Sequence, residues 1–339
     1  MKKHKICKIL LVILAIFLCV AFYELLGICV AYKKQPEVSN TTKKETKNGS
    51  WNECSENTER AVIIEKNPEA LLQRVRLIKN AKKEIILSTF AFQSDESGKL
   101  ILGALHDAAD RGVHIRLLVD GMESWIDMEG NPYFYGLSSH ENVEIKLYNK
   151  ANPLKPWKMM GRMHDKYLIA DGKRYILGGR NTYNYFLGDF PGHKNYDRDV
   201  LVVCDEPEKE NSVNQLLEYF ETIWEQEDSD YFHDNKKLAN RKSVKNAVLE
   251  LQNGYQKYFE ENKERICDTD YTDETFETEK IALVSNPIHT GSKEPVVWYQ
   301  LGELMKNAKN RVKIHTPYII CNDMMYNTWE EIAENVSDF

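Results

Sequence analysis

Residues 161–181 read GRMHDKYLIADGKRYILGGRN, and the rest of the chain is read outward from this stretch. Leu168, Ile169 and Ala170 are apolar, Asp171-Gly172 is a turn pair, and Tyr175, Ile176 and Leu177 are apolar again. Two apolar runs joined by Asp-Gly predict a β-hairpin, because Asp and Gly tolerate the positive φ that a two-residue turn requires. Side chains alternate along a strand, so His164, Lys166 and Leu168 are expected on one face. The imidazole and the ammonium would then be about 6–7 Å apart. A nucleophile beside a fixed cation suits attack on a phosphodiester. The cation offsets charge on the non-bridging oxygens, and the imidazole can carry the phosphoryl group covalently. The plain alternative is a strand with one histidine and one lysine, in which Asp171 serves only the turn.

The full pattern is H-x-K-x4-D, from His164, Lys166 and Asp171, followed by Gly178-Gly179 and Asn181. This string resembles the first catalytic motif of the phospholipase D superfamily, and within it the bacterial cardiolipin synthase-like branch. Asn195-Tyr196-Asp197 before Val200–Val203 resembles that branch's acidic residue leading into a strand. The resemblance runs from about Glu59 to the end of the chain. It implies an α/β fold, a mixed sheet flanked by helices, with a phosphohistidine intermediate and no cofactor. It implies catalytic roles for His164, Lys166 and Asp171, and contacts to substrate phosphate from Lys166, Asn181 and Gly179. Which histidine of a complete site is the nucleophile is not readable from the chain. No metal site is expected either: there is no H-E-x-x-H and no Cys/His cluster at zinc spacing.

The chain has 339 residues, 42% apolar and 29% charged, which fits a largely globular protein. Its net charge of −7 argues against a broad nucleic-acid surface. Lys2, Lys3, Lys5 and Lys8 precede an apolar run from Ile9 to Ala31, broken by Tyr23, Glu24 and Gly27. A helix of that run reaches about 34 Å, enough to cross a hydrocarbon core of about 30 Å. Four lysines before the run and Lys33-Lys34 after it favour an inside N-terminus and an extracytoplasmic catalytic domain. No A-x-A site ends the run, so a single-pass anchor over residues 1–34 is preferred to a cleaved signal. Residues 35–58 are polar without apolar periodicity and are expected to be a linker. Of the seven cysteines, Cys54, Cys204, Cys267 and Cys321 would lie outside the membrane, and spacing selects no pairing among them.

The first repeat is expected over residues 59–226. Asn67-Pro68 starts a helix with Leu71, Leu72, Val75, Ile78 and Ala81 on one face. Strands follow at 84–92, 113–119 and 143–148, with a helix from Ser97 to a stop at Gly112. Asp120-Gly121 is placed at the edge of the site. Lys155 to Arg162 mixes cations with Trp157, Met159 and Met160. It suits either a lipid-headgroup surface or an ordinary loop. Val213–Trp224 is an amphipathic helix. Residues 227–279 are polar and read as a helical connector in which Leu249 and Leu251 are too sparse for a core.

Residues 77–89 align without a gap on residues 304–316, with six of thirteen positions identical and Gln73 matching Gln300 upstream. A helix followed by a strand is therefore expected twice, and residues 280–339 read as the start of a second repeat. The same offset of 227 would put a second motif near position 391, so the chain is expected to be incomplete in its second half. Three functions stand at this stage. One is a membrane-anchored phosphatidyltransferase or phospholipase, with the bilayer as partner. One is a phosphodiesterase of another class, such as a nuclease. One is an inactive or homodimer-dependent half-site.

Overall fold

Apolar runs of five to seven residues, bounded by glycines, caps and turns, make the centre of this molecule. It is described by a computed structural model covering residues 2–49, 59–204, 211–233, 235–316 and 318–338. Cys54 and the linker residues 50–58 lie outside the described residues. In chain order the elements are α1 (Lys2–Tyr32), α2 (Asn40–Asn48), β1 (Arg60–Ile64), α3 (Asn67–Asn80), β2 (Glu84–Thr89) and α4 (Glu96–Asp110). Next come β3 (His114–Asp120), α5 (Glu123–Asp127), α6 (Pro132–Ser138), β4 (Val143–Tyr148), β5 (Lys166–Ala170), β6 (Arg174–Gly178) and β7 (Asp199–Val203). Then follow α7 (Ser212–Trp224), β8 (Ser229–Tyr231), α8 (Lys242–Glu261), α9 (Lys263–Cys267), β9 (Phe276–Glu277), α10 (Val296–Lys306) and α11 (Asp323–Asn335).

The strands form one mixed sheet in the order β8-β4-β3-β2-β5-β6-β7-β1-β9. β2, β3 and β4 are parallel, and β5 joins β2 antiparallel with Thr89 opposite Lys166. Every side chain of β5 is buried, as expected for a strand covered on both faces. Leu87, Leu168 and Ile176 pack with α3, α4, α6 and α8 on one side. Ile86, Tyr167, Ile169 and Tyr175 pack with α7 on the other. The expected mixed sheet flanked by helices is the fold observed.

Residues 227–279 depart from a loose connector. β8 pairs with β4 at one edge of the sheet and β9 with β1 at the other. Between them α8 buries Val244, Ala247, Leu251, Tyr255 and Phe259 along one stripe. Leu251 thus joins an aromatic face, and the sparse leucines are not a measure of its core contribution. Gly103 of α4 allows this approach: a Cβ there would lie 2.7 Å from Leu251 O and from Tyr255 Cβ. The linker is also more ordered than its composition suggests. Ser39 caps α2, Gly49 ends it at φ 75, and Thr42 Oγ1 donates to Glu294 at 2.6 Å.

The internal repeat is realised only in its helix. α10 forms where α3 predicts it, and Gln73 and Gln300 are both buried. Residues 312–316, matched to β2, form no ladder. Their neighbourhood has one isolated bridge, between Arg311 and Asp338. A strand needs partners for alternate backbone groups, and among the described residues this segment has none of the kind that β3 and β5 give β2. Cys204 is buried and its Sγ accepts from Asn211 Nδ2 at 3.5 Å, while Cys267 and Cys321 are exposed.

The close α4–α8 contact makes a test. Gly103→Val should lower the melting temperature of the detergent-solubilised protein, at a cost of about 1–3 kcal/mol for overpacking. Gly254→Ala, in α8 with nothing within 4 Å of a new Cβ, should raise stability by up to about 1 kcal/mol. Equal responses at the two glycines would contradict this packing.

Candidate active site

One end of the sheet collects the C-termini of β2, β3, β4 and β6 and the N-termini of β5 and β7. His164 and Lys166 lie there. The ladder begins at Lys166, so His164 sits just before the strand rather than on it. The pair still converges. Lys166, only 5% exposed, donates from Nζ to His164 O at 2.6 Å, while the His164 side chain is exposed. Phe90, just past β2, sits against both: its ring centroid is 4.7 Å from that of His164 and 5.3 Å from Lys166 Nζ.

Burial lowers the Lys166 pKa to about 8, with Asp165 and Asp197 opposing the shift. Partial desolvation, with the Lys166 charge, lowers His164 below the usual 6.5. At neutral pH the imidazole is therefore uncharged and the ammonium mostly charged. That is the state in which an imidazole nitrogen can attack phosphorus beside a cation.

The loop before His164 is fixed from below. Asp120, fully buried at the end of β3, accepts from Met163 N at 3.0 Å, Met122 N at 2.9 Å and Arg162 Nη1 at 3.2 Å. Burial pushes its carboxyl upward against these donors. Asp120-Gly121 is thus a support at the site edge, as its sequence position suggested. Asp165 turns away from His164 and accepts from Tyr219 Oη at 2.8 Å, with Lys293 contributing positive charge.

Gly178 ends β6 and Gly179 follows it, where the chain entering β7 comes closest. A Cβ on Gly179 would overlap the Asp197 carboxylate, and one on Gly178 would overlap Asp199. Asn181, 7% exposed, accepts from Ala91 N at 3.2 Å and so ties its loop to the residue after Phe90. Arg180 between them is buried and pairs with Asp199 at 3.2 Å, which also pairs with Arg74 at 2.9 Å. Gly179 and Asn181 are therefore at the same sheet end as His164 and Lys166.

Asp171 is not. It lies past the far end of β5, in a turn with φ 55 at Asp171 and 62 at Gly172. Its carboxylate accepts from the backbone N–H of Lys82, Lys83 and Glu84 at 2.7–3.1 Å. Asp171, expected among the catalytic residues, is thus set apart from His164 and Lys166 by the five residues of β5, about 17 Å. It fixes the α3–β2 connection. Phe90, Asp165 and Asp120's clamp on Met163 are what the motif alone did not single out. Among the described residues, no group of three His, Cys, Asp or Glu side chains is arranged to hold a metal.

Residues 74–224, which span β2 to β7 and the site, match the family described as cardiolipin synthase, PLD-like domain. These residues form a phospholipase D-like domain. An uncharacterized protein of Helicobacter pylori J99 is 30% identical over 212 residues, covering 58% of this chain and 39% of that protein. Cardiolipin synthase C of Escherichia coli K12 is 29% identical over 171 residues, covering 46% of this chain and 34% of that protein. This phospholipase D-like chain thus spans well under half the length of either relative. The structure of phosphatidylserine synthase from Haemophilus influenzae Rd KW20 shares the fold, with TM-score 0.57, 15% identity, and coverage of 88% of this chain and 65% of that one.

The placement of Asp171 predicts a stability effect separate from the site. Asp171→Ala removes the acceptor of three backbone N–H groups and should cost about 1–3 kcal/mol. Its melting temperature should fall while the His164 titration, followed by NMR in detergent, stays in place. A moved His164 titration with unchanged melting would contradict the assignment.

Proposed function

We propose that this protein is a membrane-anchored phosphodiesterase or phosphatidyltransferase acting on phospholipid, with chemistry of the cardiolipin synthase type. The observation that carries the reading is the uncharged, exposed His164 beside the buried ammonium of Lys166. In this reading a His164 ring nitrogen attacks the phosphorus of a phosphodiester and forms an N–P bond. The P–O bond to the leaving alcohol breaks, and that oxygen takes a proton from a second acid outside the His164 half-site. Lys166 offsets charge on the non-bridging oxygens, and Asn181 and the Gly179 backbone border the same space. An alcohol or water, giving its proton to the group that protonated the leaving oxygen, then attacks the phosphohistidine, and the N–P bond breaks to free His164. Phosphatidylglycerol as the acceptor would yield cardiolipin, and water would yield phosphatidate.

The lipid assignment is supported by α1, which is long and apolar enough to cross a membrane, with mean hydropathy 2.9 over an 18-residue window. The lysine bias around it favours an extracytoplasmic catalytic domain. The relatives named as phospholipid synthases point the same way. The acidic net charge weighs against nucleic acid as substrate. We take residues 59–279 as the first catalytic unit and residues 280–338 as the opening of a second. A second copy of the chain can supply the second imidazole.

Phospholipid turnover by the full chain in vesicles tests this. His164→Ala should abolish it, and Lys166→Ala should reduce it by about 10²–10³, the scale of a lost charge stabiliser. The rate should fall below pH 6.5 as His164 takes a proton, and again as pH rises through about 8 and Lys166 loses one. Turnover that survives His164→Ala would refute the proposal. Turnover proportional to protein concentration on dilution to monomer would refute the two-copy arrangement.

A further inference from the structure

The structure places the catalytic unit against its own candidate anchor in an unusual register. From Lys5 to Val20 the side chains of α1 are fully exposed. From Ala21 onward one face is covered, at Ala21, Glu24, Gly27, Ile28, Ala31 and Tyr32. The covering element is the loop that runs from β4 to His164. Tyr23 Oη donates to Leu154 O at 3.0 Å, Gly27 abuts the Pro156 ring, and Tyr32 Oη donates to Thr290 O at 2.7 Å.

Length turns this contact into a depth. The free apolar part of the helix, Ile9 to Val20, is twelve residues and spans about 18 Å. A hydrocarbon core is about 30 Å thick, so the two turns beyond Val20 must complete the crossing. Those turns, from Tyr23 to Gly27, are the ones Leu154 and Pro156 touch. The loop's outward side chains suit such a position. Leu154 is 76% exposed, Met160 59% and Trp157 46%, although nothing soluble requires three large apolar groups on one short loop. Lys155 beside them is an exposed cation, and Lys33-Lys34 are exposed further along at the helix exit, both suited to anionic headgroups. Trp125 and Ile126 of α5, also exposed, occupy the same sheet end.

We propose that residues 154–160 are a membrane-seated rim, with Leu154, Trp157 and Met160 inserted at the boundary between headgroups and acyl chains. The occupant of this surface is the lipid bilayer that α1 crosses. The rim leads within four residues to His164, so it sets the active site at the level of the headgroup phosphates rather than above them. This rests on the membrane-anchor part of the proposed function, but not on the chemistry at His164.

The test uses the full chain reconstituted into vesicles of phosphatidylethanolamine and phosphatidylglycerol carrying bromine near the start of the acyl chain. Flotation of the protein with vesicles after carbonate washing checks the anchor. Tryptophan emission should be quenched by the brominated lipid, and Trp157→Phe should remove a large share of the quenched signal. Trp298→Phe, on α10, should leave that share in place. Leu154→Asp with Met160→Asp, both at exposed positions, should restore Trp157 emission and open it to acrylamide in water. Flotation with quenching unchanged by Trp157→Phe would overturn the rim while leaving the anchor and the catalytic reading intact. Failure to float would overturn the rim together with the anchor.

Discussion

A lysine is buried where β2 meets β5, and the site is built around the cost of that burial. Moving the Lys166 pKa from 10.5 to about 8 corresponds to about 3 kcal/mol of disfavoured charge. The surroundings offset part of it: the His164 carbonyl accepts from Nζ, Phe90 lies under the cation, and Asp165 and Asp197 lie near enough to hold the proton. Stability and chemistry then pull against each other with pH. Between about pH 8 and 10.5 the unfolded chain holds more protons than the folded one, so this group's penalty on folding is relieved as pH rises. The same deprotonation removes the cation from beside the imidazole. A group held in that balance is more readily explained by a task than by packing, since an apolar residue would fill β5 at lower cost.

The two ends of β5 divide the work. At the N-terminal end the backbone supports are carboxylates facing donors: Asp120 under Met163, Asp199 between Arg74 and Arg180. These hold the loops whose glycines let Asp197 and Asp199 approach β6. At the C-terminal end Asp171 does the same for the start of β2 through three backbone N–H groups. The H-x-K-x4-D string therefore brackets β5, with His164 and Lys166 at one end and the backbone-holding Asp171 just past the other. Its fixed length reflects the five ladder residues between them.

The sheet was largely legible because its strands are short apolar runs with clear boundaries. Val143–Tyr148 and the helix at Asn67-Pro68 fall where composition and capping put them. The proximity of His164 and Lys166 was legible from spacing, although His164 sits before the ladder rather than in it. What spacing could not give was direction: Asp171 looks equally catalytic or structural until its φ of 55 and its partners are seen. The role of α8 was missed because Val244, Ala247, Tyr255 and Phe259 complete a buried stripe in which Leu251 is the single leucine. The second strand of the repeat failed for another reason. Identity at six of thirteen positions encodes a helix and an extended segment, but a strand is made by neighbours. Phe90 was invisible as a site residue because it reads as the tail of a buried strand.

The central claim is that His164 becomes covalently bonded to phosphorus. The most direct measurement is mass spectrometry of the vesicle-reconstituted full chain, quenched in base during turnover of a phosphatidylglycerol substrate, since phosphohistidine survives base. The account predicts a phosphorus-containing adduct on the peptide carrying His164, absent in His164→Asn. Turnover that proceeds with no adduct, or an adduct on another residue, would contradict it.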